Sequence, residues 1–234
     1  MDVDNYTMKS SLCDTEGPQK TVAKRAPPKC SLCGDEGHRK TTCPINKADP
    51  VDDYTEELLI EQYKEHKAYT LSRMKAKEKC PKIRLPNIPN DISENMIKFI
   101  IQNKLDDKTT TWNCDSGDLF SKKEGKQECK CFTSHGPCSF TPSSNWDVIY
   151  FLDCIDWIEN NIILWRVPLS KDSSEWKNIS VNKNQTFEDQ AKQGRRPRIS
   201  WLNLNSQILE HCSKIYEGTF ENIFTADKAM EPVD

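Results

Sequence analysis

The fold is decided by the stretch Gly117-Asp-Leu-Phe-Ser-Lys-Lys-Glu-Gly-Lys-Gln-Glu-Cys-Lys-Cys-Phe132 and by Asp147-Val-Ile-Tyr-Phe-Leu152, which follows it. In the first stretch, Leu119-Phe120 and the residues from Glu128 to Phe132 are predicted strands on either side of a polar turn centred on Gly125. The second stretch is apolar without alternation, which is typical of a strand covered on both faces. A hairpin next to a buried strand predicts a sheet within the largest domain.

Helices and one further strand are predicted around this sheet. One helix begins at Asp91-Ile92-Ser93-Glu94 and continues to about Leu105, another follows the N-cap Thr186 and ends near Gly194, and a last one covers about Asn205 to Lys214. The segment from Ile162 to Val167 is a further strand. This order of elements predicts an α/β or α+β layer architecture.

Composition excludes several classes of protein. The chain has 234 residues, is 35% hydrophobic and 29% charged, and has a mean hydropathy of −0.77. Its apolar runs are far shorter than the roughly 18 residues of a membrane span. The N-terminus carries acids where a signal peptide needs basic and apolar residues. We therefore expect an intracellular protein, in the cytoplasm or the nucleus. The net charge of −3 excludes a uniformly basic nucleic-acid coat but leaves local basic patches open.

The pattern of composition predicts five segments. Residues 1–29 are polar and lack a hydrophobic period, so they are expected to form a disordered tail. Residues 30–43 contain a cluster of cysteine and histidine. Residues 50–82 are expected to form a spacer of one solvated helix or two short ones. Residues 83–225 hold most of the large apolar side chains and form the main domain, and residues 226–234 are a second flexible tail.

The cysteine cluster has the spacing of a zinc site. Eleven cysteines in a chain without a secretion signal favour metal ligation or free thiols over disulfides. The sequence Cys30-Ser-Leu-Cys33-Gly-Asp-Glu-Gly-His38-Arg-Lys-Thr-Thr-Cys43 is C-x2-C-x4-H-x4-C. Four such ligands suit tetrahedral Zn²⁺, and the metal supplies the folding energy that so short a segment cannot obtain from a core.

This spacing resembles the CCHC zinc knuckle family. The resemblance implies structural Zn²⁺ bound by Cys30, Cys33, His38 and Cys43, and contact with single-stranded nucleic acid through a basic rim. Here Arg39, Lys40 and Leu32 are the candidates for that contact. A knuckle used only for protein contacts is the alternative.

The hairpin carries a second candidate site. Strand alternation places Glu128 and Lys130 on one face and Cys129 and Cys131 on the other, and Asp118 on the preceding strand approaches the first face. Two carboxylates beside a lysine can hold Mg²⁺, which polarises a phosphodiester and lowers the pKa of a bound water. A solvated hairpin in a chain with 29% charged residues produces the same triplet by chance.

Three features of the context favour the metal site. The triplet precedes the most apolar strand, and Glu94 on the preceding helix is a further acidic candidate. The cluster Arg195-Arg196-Pro197-Arg198, followed by Trp201, suits phosphate contact, with Trp201 as an exposed platform for base stacking.

The order acidic helix, Gly-Asp-Leu, Glu-x-Lys and hydrophobic strand resembles the PD-(D/E)XK nuclease superfamily, and type II restriction endonucleases in particular. The resemblance covers roughly residues 83–224 and implies a mixed central sheet flanked by helices. It implies that Asp118 and Glu128 hold Mg²⁺, that Lys130 assists the attacking water, and that Glu94 contributes acidic charge. Gly117 stands where the family pattern has proline.

These observations together predict a Mg²⁺-dependent DNA endonuclease with an accessory zinc knuckle. Family resemblance also implies a homodimer, because cutting both strands of DNA needs two sites. Two alternatives remain at this point: a non-catalytic zinc-knuckle protein that binds or packages nucleic acid, and a degenerate nuclease fold that has kept only binding.

Overall fold

The computed structural model describes Lys29, Glu36, residues 54–112 and residues 117–225. Contacts divide the chain into two units, Met1–Asp49 and Pro50–Asp234. In the first unit, Lys29 and Glu36 form an isolated antiparallel bridge. The second unit contains every helix and strand named below. No helix in the described ranges is both long enough and apolar enough to cross a membrane.

The second unit consists of short helices around one large sheet. The helices are α1 (Glu56–Lys79), α2 (Asn90–Lys104), α3 (Ser174–Lys177), α4 (Phe187–Lys192) and α5 (Trp201–Ile208), and 3-10 turns lie at Trp157–Glu159, Leu209–His211 and Glu221–Ile223. The strands are β1 (Thr111–Trp112), β2 (Leu119–Ser121), β3 (Gly125–Phe132), β4 (Pro137–Ser139), β5 (Val148–Asp153), β6 (Ile162–Val167), β7 (Ser180–Asn182), β8 (Gln185–Thr186), β9 (Arg198–Ser200) and β10 (Ser213–Gly218).

Six strands form the central sheet in the order β1-β2-β3-β5-β6-β10. Only the β3–β5 pair is parallel in this sheet, and the other four pairs are antiparallel. Two small sheets, β4-β9 and β7-β8, lie outside it. The predicted α/β (α+β) class with a mixed central sheet flanked by helices is confirmed.

Both faces of the central sheet are covered. Val148, Tyr150 and Leu152 of β5 pack in one hydrophobic cluster with α1 and α2. Ile149 and Phe151, which point the opposite way, pack in a second cluster with residues of α3, α4 and α5. This explains why the sequence of β5 lacks alternation, because a strand covered on both faces needs apolar side chains on both.

The segment predicted as a spacer of one solvated helix or two short ones is helical, but its first half is packed on the core rather than solvated. The segment contains one continuous helix, α1, which begins at the N-cap Thr55. Its Leu59 is fully buried in the first cluster, and Tyr63 stacks on Phe220 with ring centroids 3.7 Å apart. The first half of α1 is therefore part of the packed unit.

The bounds predicted for the last helix, about Asn205 to Lys214, are also wrong. Helix α5 starts at Trp201 rather than near Asn205, and the chain has left the helix before Lys214. From Ser213 it forms β10, which pairs with β6 and is the edge strand of the sheet. A strand that depends on a distant partner leaves only a weak local signal in the sequence.

Candidate active site

The turn between β2 and β3 sets the register of the hairpin. Gly125 has φ +72°, a left-handed conformation that side chains rarely adopt, and a Cβ there would lie 2.4 Å from Asp147 Oδ2. The same oxygen accepts a hydrogen bond from the Lys126 N–H at 2.9 Å. In the resulting register Leu119 lies opposite Gln127, which brings the preceding residue, Asp118, next to the middle of β3.

Asp118 is attached directly to β3. Its Oδ2 accepts a hydrogen bond of 2.7 Å from the main-chain N–H of Cys129. The neighbouring Leu119 is fully buried in the first hydrophobic cluster, which holds this end of β2 in place. The carboxylate of Asp118 is thus positioned beside Glu128 by one backbone hydrogen bond and one buried neighbour.

Glu128 and Lys130 form a close ion pair on β3. The distance from Lys130 Nζ to Glu128 Oε1 is 2.5 Å, and the two side chains are only 19% and 7% exposed, respectively. The ammonium of Lys130 also lies 5.7 Å from the ring centroid of Phe140. Cys129 and Cys131 pack into the first hydrophobic cluster instead. The predicted division of the two faces of β3 is confirmed.

Glu94 reaches the same region from α2. Its Oε2 accepts a hydrogen bond of 2.7 Å from the indole N–H of Trp112. Burial raises the pKa of Glu94 to about 7; the bond from Trp112 opposes this rise, and the negative charge of Asp118 adds to it. The charge of Lys130 acts on Glu94 as well, so the electrostatic interactions connect all four sequence-predicted residues.

The pKa values of Glu128 and Lys130 on β3 are shifted as well. Burial raises the pKa of Glu128, with the charge of Lys130 opposing this and the charge of Asp118 adding to it. For Lys130, burial lowers the pKa, but Glu128 and Asp118 outweigh burial and raise it above its ordinary value. Lys130 is therefore a protonated cation at neutral pH, held within a group of carboxyls.

The predicted metal ligands that the structure describes are the two carboxylates Asp118 and Glu128. Among the described residues, no group of three or more His, Cys, Asp and Glu side chains is arranged to hold a metal ion. Mg²⁺ at a phosphoryl site usually takes one or two carboxylates and completes its shell with water and substrate oxygens. Asp118 and Glu128 supply two hard oxygen donors of the kind that Mg²⁺ takes. The pKa of Glu128 is raised mainly by burial, and the charge of Asp118 adds to this rise.

The arginine cluster lies at the start of β9 and in the loop before it. Arg195, Arg196 and Arg198 are all exposed. Arg198 belongs to β9, which pairs with β4, where Ser139 is its partner. The adjacent residue of β4, Cys138, has a pKa raised to about 11 by burial and opposed by the charge of Lys130. Strand β4 therefore lies near Lys130, and Arg198 is on the strand paired with it.

Trp201 is not an exposed stacking platform, and that expectation is wrong. Only 8% of the residue is exposed. Its ring packs against Phe151, Phe132 and Trp165 with centroids 4.6, 6.0 and 5.8 Å away. At the start of α5 its side chain turns toward the sheet, because the aromatic residues of β3, β5 and β6 provide an apolar surface there.

The zinc and knuckle residues lie outside the described residues; these are Cys30, Cys33, His38, Cys43, Arg39 and Lys40.

Sequence reasoning missed two residues that act on the site. Trp112 holds Glu94 by the hydrogen bond described above. Lys171, in the loop after β6, donates from its ammonium to the carbonyl of Pro142, and its charge lowers the pKa of Glu128. Neither belongs to a local motif, so only tertiary contacts could have found them.

Comparison with known proteins places the chain in a class of nucleases. The family described as Bsp6I restriction endonuclease matches residues 51–211. Because this match covers more than half of the chain, the chain belongs to that restriction endonuclease family. The match begins before α1, in agreement with the packing of that helix in the domain.

One named relative refines this placement. Type II restriction enzyme Bsp6I from Bacillus sp. (strain RFL6) is 42% identical over 79 residues. The alignment covers 33% of this chain and 44% of the relative, so the chain matches less than half of the length of that enzyme. No solved structure matches.

Proposed function

We propose that this protein is a Mg²⁺-dependent DNA endonuclease of the type II restriction kind, which hydrolyses phosphodiester bonds with a metal-activated water. Family membership and the name of the relative support the reaction class. The observation that carries the proposal is the hydrogen bond from the Cys129 N–H to Asp118, which brings that carboxylate beside the buried Glu128–Lys130 pair.

Each side chain has a distinct task in this proposal. Asp118 and Glu128 would hold Mg²⁺, which when bound polarises the phosphodiester and lowers the pKa of a coordinated water. Lys130 is cationic and is held by Glu128, so it can orient the attacking water and offset the negative charge that develops on the phosphate oxygens. Glu94 adds acidic charge from the helix side, positioned by Trp112.

DNA contact is assigned to two basic regions. Arg195, Arg196 and Arg198 are exposed and would bind backbone phosphates in bidentate fashion. The knuckle, with Zn²⁺ on its three cysteines and His38, would add contacts through Arg39 and Lys40. A homodimer would place two sites on the two strands of a duplex.

Cleavage of plasmid DNA tests the proposal. Wild-type protein with Mg²⁺ should convert supercoiled plasmids to nicked or linear forms, and EDTA should stop the reaction. Asp118→Asn and Lys130→Ala should each lower the rate at least 100-fold, because each removes a group used in the transition state. Asp172→Asn is the matched control, since Asp172 is an exposed carboxylate in a surface ion pair.

The other outcomes are equally informative. If wild-type protein binds DNA but cleaves none of many plasmid sequences, the non-catalytic binding protein is correct. Equal cleavage by the wild type and both site variants would show that the activity resides elsewhere or in a contaminant.

A further inference from the structure

Charge is distributed unevenly along α1. The first half of the helix, residues 56–67, carries four acids and two bases, whereas residues 68–79 carry four bases and one acid. Two further cations, Lys82 and Arg84, follow in the segment that leads to α2. Basic residues in a last helical turn stabilise the helix dipole, but the cations here extend well beyond one turn in both directions.

The face of α1 that packs on the core continues as a basic face. Leu59, Tyr63 and Thr70 are the buried positions of the helix. Lys77 follows Thr70 at a spacing of seven residues, which is close to two turns, so it lies on the same face. Lys77 is exposed, and Arg73, one turn before it, is half-buried. The helix therefore extends past the core with cations where its first half has apolar residues.

Arg73, Lys77, Lys82 and Arg84 form what we call the inner basic surface. The guanidinium of Arg73 donates to the carbonyl oxygen of Arg84 at 3.4 Å, which connects the end of the helix to the following segment. Lys82 and Arg84 are exposed. Within the part of the chain that the structure describes, none of the four forms an ion pair with a carboxylate.

The segment that follows this surface is attached near the candidate active site. Three residues after Arg84, the side-chain oxygen of Asn87 accepts a hydrogen bond of 3.0 Å from the hydroxyl of Thr133, which directly follows β3. Ile88 is buried in the first hydrophobic cluster, and α2 then begins and carries Glu94. The segment is thus attached at the end of β3 nearest Lys130.

We infer that the inner basic surface binds the phosphate backbone of duplex DNA outside the cleavage site, an inference that rests on the proposed function. These cations have no carboxylate partner among the described residues, and the segment that follows them is attached at the end of β3 nearest Lys130, so they have the charge complementarity that a polyanion needs. The basic half of α1 is roughly 18 Å long and spans about five base pairs. These contacts are sequence-independent and set the position of the duplex rather than the choice of site.

The test measures the salt dependence of DNA binding by the full-length chain. The probe is a fluorescent duplex of about 30 base pairs and mixed sequence, longer than the roughly 36 Å helix. Binding is measured without Mg²⁺ at several NaCl concentrations. The first variant is Lys77→Gln/Lys82→Gln/Arg84→Gln. The matched control removes the same charge from the outer side of the same helix, by Lys64→Gln/Lys75→Gln/Lys79→Gln.

The two variants should differ in the salt dependence and the strength of DNA binding. Each phosphate contact contributes about 0.9 to the slope of log K against log salt. The inner variant should therefore lower the slope by about 2–3 and weaken binding at least tenfold at roughly 0.1 M salt, whereas the outer variant should change the slope by less than about 1. Equal changes in both variants, or an unchanged slope in the inner one, would overturn the inference. Circular dichroism melting verifies that both variants are folded.

Plasmid cleavage in parallel separates this inference from the proposed function. A wild type that does not cleave, together with a lowered slope in the inner variant alone, leaves the DNA surface in place and removes the enzyme proposal. A wild type that cleaves, together with an unchanged slope in the inner variant, removes the surface and leaves the enzyme.

Discussion

Glu94 combines partial burial, one strong hydrogen bond and a nearby negative charge. Burial raises its pKa to about 7, well above the ordinary 4.5 of a glutamate. Such a carboxyl loses its proton near neutral pH, and the ionised form is destabilised in the folded protein because it is partly buried. The pH dependence of stability therefore reports on this side chain.

Stability should fall with pH more steeply in the wild type than in Glu94→Gln. A group whose pKa is raised by folding contributes its full stability below pH 4.5, and that contribution is lost as pH rises through about 7. Allowing for partial exposure, the wild type should lose about 2 kcal/mol more than the variant between pH 5 and pH 8. Urea unfolding without Mg²⁺ measures this. Parallel pH profiles for the two proteins would contradict the raised pKa.

The contrast between two sets of residues shows how far sequence reasoning reaches. Asp118, Glu128 and Lys130 could be grouped from the sequence because strand alternation and a short turn are local properties. The burial of Trp201 could not, since it depends on how α5 crosses β5 and β6, and no local pattern encodes that crossing. The hydrogen bond from Trp112 to Glu94 could not be predicted for the same reason, because it is a tertiary contact.

Among the secondary-structure elements, α1 is the one whose packing on the core is hardest to predict from the sequence. Leu59 and Tyr63 are its two buried apolar side chains within 24 residues, and charged residues surround them. A helix with so narrow an apolar stripe has the composition of a solvated one. Its packing partners, the following helix α2 and the distant Phe220, cannot be inferred from the sequence of α1 itself.

The position of Leu59 in the core can be tested against its neighbour Leu58. Leu59→Ala should lower the free energy of unfolding by about 2–5 kcal/mol, because it leaves a cavity under α1. Leu58 is 37% exposed, so Leu58→Ala should cost less than about 1 kcal/mol. Urea unfolding of both variants makes the comparison. If the two substitutions cost the same, α1 is the solvated spacer after all.

For the molecule as a whole, composition and element order were sufficient for the fold class but not for the strand order. Two pairings join segments that are not adjacent in the sequence: the parallel pairing of β3 with β5 and the antiparallel pairing of β6 with β10. Such pairings depend on which edges remain available after the hairpin forms. A list of predicted strands does not contain that information.

The two metals of the proposal belong to different units of the chain. The knuckle cysteines fall in the unit Met1–Asp49, and the Mg²⁺ carboxylates fall in Pro50–Asp234. The purified protein should contain one Zn²⁺ per chain, because the C-x2-C-x4-H-x4-C spacing supplies a complete tetrahedral set. Cys33→Ser should lose this zinc. Cys80→Ser should keep it, because Cys80 is an exposed free thiol outside the motif.

Mass spectrometry of the desalted proteins gives the zinc content of each variant. A zinc-free wild type purified from zinc-supplemented cells, or equal zinc in wild type and Cys33→Ser, would remove the knuckle from the proposal. Neither result would affect the carboxylate site.

The length of the turn at Gly125 determines to which side of the sheet the side chain of Asp118 points. Successive side chains of a strand point to opposite sides, so a change of one residue in the length of the turn exchanges odd for even positions along β2. Because β3 is held by β5 on its other side, β2 is the strand that would shift. Asp118 would then point into the apolar cluster, and Leu119 would leave it. The nuclease chemistry proposed for this chain therefore depends on the residue count of a loop that takes no part in the chemistry.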